Sequence, residues 1–175
     1  MKKQDFKNIS MTGRYAYALL CIEKLFVEKF PQKDFSKVFE FFWKGTEEPN
    51  WDKMSEFARD LTNDTLFDSS IFDEDNFFII NEQDFEFYYK LFDDMRDISN
   101  ACFSSLFDFL TVYENASIPS FGKESIDSLF QIINLLEKHN VKLPDIEKIS
   151  FSTFNERNGW GNNFNGGLLS LILNK

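Results

Sequence analysis

The sequence predicts an all-α fold, a single-domain bundle of five to six amphipathic helices with one long central helix and an acidic loop. Three observations predict it. Apolar residues recur at spacings of three and four along most of the chain. One short apolar run, Phe77-Phe78-Ile79-Ile80, has strand character, and no second convincing strand exists to pair with it. Finally, 175 residues with 43% apolar composition suffice for one sizeable core, which sets the domain at residues 1–175.

The first helix is expected after Thr12, over 13–29, because Tyr15, Leu19, Ile22, Phe26 and Phe30 follow a helical period and Pro31 ends it. Asp34 is placed to cap a second helix over 35–44, with Val38, Phe39, Phe42 and Trp43 inward and Gly45 as its stop. Asn50 caps a third over 51–61, with Met54, Phe57, Ala58 and Leu61 inward. Between 62 and 80 the period disappears. Asp68-Ser69-Ser70 and Asp73-Glu74-Asp75-Asn76 read as loop, and Phe77 to Ile80 as an apolar anchor pinning that loop to the core.

The strongest periodicity follows. Phe85, Tyr88, Phe92, Met95, Ser99, Cys102, Leu106, Phe109 and Tyr113 share one face of a helix over 82–113. Unbroken, it would run about 48 Å at 1.5 Å per residue, against a radius of gyration of about 16 Å for a compact chain of this length. A kink near Ser99-Asn100 is therefore expected. After a turn at 118–122, Ile126, Leu129, Phe130, Ile133 and Leu136 mark a helix over 123–139, with Asn140 as its C-cap. Beyond Pro144 the signal weakens to a short helix within 145–155, turns at Gly159-Trp160-Gly161 and Gly166-Gly167, and a terminal apolar segment, 168–173, that must be covered.

Charge singles out one region. Residues 60–97 hold twelve Asp or Glu against Lys90 and Arg96, a surplus of ten acids that equals the net charge of the whole chain. Such a balance argues against nucleic acid, whose phosphates need Lys and Arg. It suits a basic protein partner. The candidate partner-binding residues are Asp68, Asp73, Glu74 and Asp75 in the loop and Glu86, Asp93, Asp94 and Asp97 on the long helix, with Phe72 or Tyr89 as an exposed apolar anchor.

No catalytic signature competes with this reading. The carboxylates from Asp73 lack the spacing of a calcium loop, because Phe77 and Phe78 stand where an oxygen ligand and a glycine belong. His139 is the single histidine, at a helix end where a cation suits the carbonyls. The glycine-rich run 159–167 lacks a Lys-Ser/Thr pair and follows no strand, so it is no phosphate loop. Cys21 and Cys102 lie in apolar helical patterns and read as buried free thiols. Arg14, early in an apolar helix, is either solvated or paired with a carboxylate. No metal, cofactor or catalytic residue is assigned. The absence of an 18-residue apolar run and of a signal-peptide core in the opening residues leads to an expectation of a cytoplasmic protein with no membrane partner.

The opening Thr12-Gly13-Arg14-Tyr15-Ala16-Tyr17-Ala18-Leu19-Leu20 helix, Trp43 near the end of the second helix and the Gly159-Trp160-Gly161 turn resemble the all-helical immunity proteins of bacterial polymorphic toxin systems. The segment Leu20-Cys21-Ile22-Glu23 is also similar to one in uncharacterised all-helical bacterial domains. The immunity resemblance implies a non-enzymatic inhibitor that binds one cognate toxin, often a basic nuclease, and blocks its active site. It carries over no site residue. The alternatives are a structural or oligomeric helical domain whose acids keep a Phe-rich chain in solution, and a small-ligand or enzymatic domain with a pocket between helices.

Overall fold

A computed structural model describes residues 1–113 and 117–174. Among them are six helices of ten residues or more, a single turn of helix, several 3-10 turns and no strand. The helices are α1 (Met11–Lys29), α2 (Ser36–Glu47), α3 (Trp51–Asp60), the turn α4 (Asn63–Leu66), α5 (Glu82–Phe92), α6 (Arg96–Thr111) and α7 (Lys123–Lys138). The all-α bundle expected from the spacing is therefore present. Its centre is not the long acidic helix, however.

The centre is α1. Met11 to Glu23, Leu25 and Phe26 are all buried, so α1 is enclosed on every side rather than along one stripe. It packs on α2, α6, α7 and the 3-10 turn at Ile146–Ile149, while α6 in turn packs on α3 and α7. The enclosure follows from its residues. Ala16, Ala18 and Gly13 let neighbours approach, and the tyrosines carry hydroxyls to backbone acceptors. Tyr15 donates to the Phe42 carbonyl at 2.7 Å and Tyr17 to that of Pro144 at 2.8 Å.

The helix expected over 82–113 is two helices. The break falls at the 3-10 turn Asp93–Met95, four to six residues before Ser99, and Met95 leaves the helical region with φ −135° and ψ 23°. Phe92 and Met95 are buried on either side of this break. Ser99 stays helical, its hydroxyl donating to the Met95 and Arg96 carbonyls. Asn100 uses its side-chain oxygen to accept the Asn63 N–H of α4 at 2.8 Å.

Other boundaries also move. Ser10, rather than Thr12, caps α1 by accepting the Gly13 N–H at 3.0 Å. Asp34 does not cap α2: the helix starts at Ser36, its cap position is Phe35, and Asp34, one residue earlier, accepts from the Ser36 N–H and hydroxyl. Gly45 does not stop α2, which runs on to Glu47. A side chain at Gly45 would meet Met54 Cγ at 3.0 Å and Tyr15 Cε1 at 3.1 Å, so this glycine permits a close helix approach. Asn50 caps α3 by accepting the Lys53 N–H.

The chain after α7 is an ordered strap. Asn140 turns it with φ 55°. The segment expected to be a short helix over 145–155 reduces to the 3-10 turn Ile146–Ile149. The strap then supplies the acceptors that the first turn of α1 lacks. Ser152 O accepts the Ser10 N–H and Trp160 O accepts the Thr12 N–H, each at 3.0 Å, and Ile9 bridges Thr153. Trp160 lies 5.6 Å from the Trp51 ring, which in turn meets Tyr15 at 5.2 Å.

Candidate functional site

The acidic region starts at a buried carboxylate. Asp60, at the end of α3, has no exposure and accepts the backbone N–H groups of Phe78, Ile79 and Ile80 at 2.7 to 3.2 Å. Three successive amides aimed at one oxygen pair hold the Phe77–Ile80 segment without a strand partner, which explains why this apolar run anchors the loop. Phe77 is half-buried, whereas Phe78 is 62% exposed.

Above that anchor runs an aromatic ridge. Phe72 stacks on Phe77 at 5.4 Å, both meet Phe85, and Phe85 continues to Tyr89 at 5.6 Å and Tyr89 to Phe67 at 4.9 Å. Arg96 closes it, with its guanidinium 4.0 Å from the Phe67 ring centre and 5.6 Å from that of Tyr89. Phe72 and Tyr89 are therefore half-buried members of the ridge, not free-standing anchors. The exposed apolar side chains of this region are Ile71 at 76%, Phe78 at 62% and Phe87 at 40%.

All eight candidate acids are exposed, but they differ in their company. Glu86 pairs with Lys90 one turn along α5, Asp93 with Arg96, and Asp94 with Lys33 at 2.5 Å. Those cations hold the Glu86 and Asp94 carboxyls below the usual carboxylate range, through the hydrogen bond first. Among the described residues, Asp68, Asp73, Glu74, Asp75 and Asp97 have no ion-pair partner. Asp73 instead accepts from the Asp75 N–H and the Asn76 side chain, which shapes the 3-10 turn Glu74–Asn76.

The ridge joins Asp68 and the Asp73–Asp75 turn to Asp93, because Phe67 and Tyr89 share Arg96. Asp94 and Asp97 look elsewhere. With Asp93 they edge a hollow of about 570 Å³ between the α5–α6 break and the end of α7, floored by Phe30, Met95 and Leu135 and bordered by Lys138 and His139. The acids thus form two groups rather than one continuous face. Among the described residues, no three His, Cys, Asp or Glu are placed to hold a metal ion. Both cysteines are buried free thiols, and burial pushes them far above the range in which a thiolate would form.

No family model, curated protein or solved structure matches the chain. The geometry is therefore the guide. Among the described residues, no helix is long and apolar enough to cross a membrane. Of the pieces that resemble immunity proteins, each has a place in the core: Arg14 and Tyr15 inside α1, Trp43 against Glu23, and Trp160 on Trp51.

Arg14 corrects the sequence reading, being neither solvated nor paired with a carboxylate. Its guanidinium donates to the carbonyls of Phe6, Lys7, Phe121 and Gly122 and to the Ser125 hydroxyl, and burial pulls its pKa down to about 10. The exposed Ile71 and Phe78 were missed for a plain reason: a loop has no period from which to read a face. Phe87 was legible, since it falls off the Phe85-Tyr88-Phe92 stripe.

Proposed function

We propose that this protein is a non-enzymatic binding protein that engages a basic protein partner through the loop 68–78 and the adjoining side of α5. In the sharper form suggested by its likeness to all-helical immunity proteins, the partner is a toxin domain whose active site it covers. One observation carries the reading: four exposed acids without ion-pair partners, Asp68, Asp73, Glu74 and Asp75, lie close in the chain to the exposed apolar side chains Ile71 and Phe78, on a loop whose backbone is tied to Asp60. Apolar anchors beside unneutralised charge suit a protein interface, where buried apolar contacts supply affinity and rim charges supply speed and selectivity. The anchors in this proposal are Ile71 and Phe78, with Phe72 and Tyr89 as their support.

The test is capture of a partner by the native protein, by a form with Asp68, Asp73, Glu74 and Asp75 changed to Lys, and by Ile71→Asp. The expected result is a basic protein held one-to-one by the native form alone, with affinity falling about tenfold or more between low and physiological salt. Affinity indifferent to both salt and charge reversal sinks the proposal.

A further inference from the structure

On the other side of the Phe77–Ile80 anchor, a groove of about 530 Å³ opens between α2 and α3. Its walls are aromatic: Phe41, Phe57 and Tyr88, with the exposed Phe78 at the mouth. Its charges run against those of the molecule. Lys37, Lys44 and Lys53 line it, Arg59 stacks 4.5 Å from the Phe78 ring centre, and the acids facing them are Glu40 and Asp84. Asp84 is taken up by Lys37 at 2.5 Å. Lys44 and Lys53 have no carboxylate within ion-pair distance among the described residues, and Lys53 lies 5.7 Å from the centre of the Phe41 ring.

A chain with ten more acids than bases thus keeps two ammonium groups outside ion-pair distance of any described carboxylate beside the aromatic walls of one groove, with Glu48 lining the adjoining hollow beside them. The volume falls within the roughly 300–1,000 Å³ of small-molecule sites, which are apolar with a few placed polar groups. We propose that this groove binds a small organic anion: a planar apolar body held between Phe41, Phe57, Tyr88 and Phe78, with its carboxylate or sulfonate set between Lys44 and Lys53. The apolar body provides the contact area. The two ammonium groups select for charge.

The test uses two fluorescent probes with the same ring system, 8-anilinonaphthalene-1-sulfonate and the uncharged N-phenyl-1-naphthylamine. The sulfonate is expected to bind the native protein at one saturable site. The double variant Lys44→Glu, Lys53→Glu should weaken it about tenfold, since exposed charges contribute modestly each and two are reversed. The uncharged probe should change by less than about twofold, because the lost attraction is purely ionic. Phe78→Ser should weaken both probes, and Lys138→Glu in the hollow beside α7 should affect neither. Both substituted lysines are exposed, and thermal unfolding verifies that the variants fold; the milder pair Lys44→Gln, Lys53→Gln should give a smaller loss in the same direction. Equal affinity of the sulfonate for native and double-variant protein overturns the proposal, as does loss of binding on Lys138→Glu or indifference to Phe78→Ser. Retention of sulfonate binding when Asp68, Asp73, Glu74 and Asp75 are reversed separates this site from the protein-docking surface.

Discussion

Three charged side chains with no exposure, Arg14, Glu23 and Asp60, hold the irregular parts of the chain to the helices. Each does so by meeting neutral hydrogen-bonding groups rather than an opposite charge. Arg14 gathers four carbonyls from the amino-terminal segment and from the turn before α7, so that Gly122, at φ 65°, must stay bare: a side chain there would meet the Arg14 Nη1 at 2.7 Å. Replacing Arg14 by Met should cost roughly 3–5 kcal/mol in urea unfolding, because those acceptors would remain buried without donors. Arg14→Lys should recover only part, since an ammonium cannot reach both segments in the planar fork of a guanidinium. Glu23 ties the carboxy-terminal strap to α1 and α2. It accepts from Trp43 Nε1 at 2.8 Å, the Ser170 hydroxyl at 2.5 Å and the Leu171 N–H at 2.7 Å, yet burial outweighs these bonds and raises its carboxyl above the usual range. The folded protein therefore holds this proton more tightly than the unfolded chain does. Its contribution is full below the ordinary glutamate value and is lost as pH rises through the raised one. The stability of the native protein relative to Glu23→Gln should accordingly fall as pH rises above the ordinary glutamate value, as read by urea melts over a pH series.

At the scale of elements, the anchor at Phe77–Ile80 decides where both surfaces lie. Asp60 ends α3 and fixes three successive amides of a segment that forms no ladder. Asp60→Ala should cost about 2–4 kcal/mol by leaving amides unpaired around a buried site. Hydrogen exchange should then accelerate over 67–80 before it does in α1, because the loop would lose its tether while the central helix keeps its packing. The α5–α6 break is the second decisive element. A continuous helix would keep one phase from Phe85 to Tyr113. The 3-10 turn at Asp93–Met95 resets the direction and leaves Asp94 reaching Lys33 and Asp97 in a separate hollow. The aromatic ridge of Phe67, Phe72, Phe77, Phe85 and Tyr89 holds the acidic loop against α5, each ring pair being worth about 0.5–1.5 kcal/mol.

For the whole molecule, the surplus of acids in 60–97 is a local self-repulsion, relieved in part by Lys33, Lys37, Lys90 and Arg96. Exposed pairs of this kind contribute little each. Moderate salt should therefore raise the melting temperature by a few degrees rather than lower it, because screening acts on more like-charge contacts than ion pairs. Differential scanning calorimetry over a sodium chloride series reads this directly. A fall in melting temperature would mean that the ion pairs outweigh the repulsion.

The all-α class, the principal helices and the location of the charge were legible from the residues alone, because each depends on their own spacing. Tyr15 to Phe26, Trp51 to Leu61 and Ile126 to Leu136 carry a helical period that no distant contact needs to supply. The exposure of Glu86 and Phe87 was legible in the same way, from helix phase. Tertiary structure alone decided the rest. That α1 is enclosed all round depends on what surrounds it, and a period reports one face only. That Arg14 finds carbonyls instead of a carboxylate depends on chain more than a hundred residues away. The exposure of Phe78 and the half-burial of Phe72 follow from Asp60 capturing a loop that has no period of its own, and Lys44 and Lys53 meet beside one aromatic groove because α2 packs on α3. Local pattern fixes the elements; the surfaces between them arise from contacts distant in the chain, and the candidate sites belong to those surfaces.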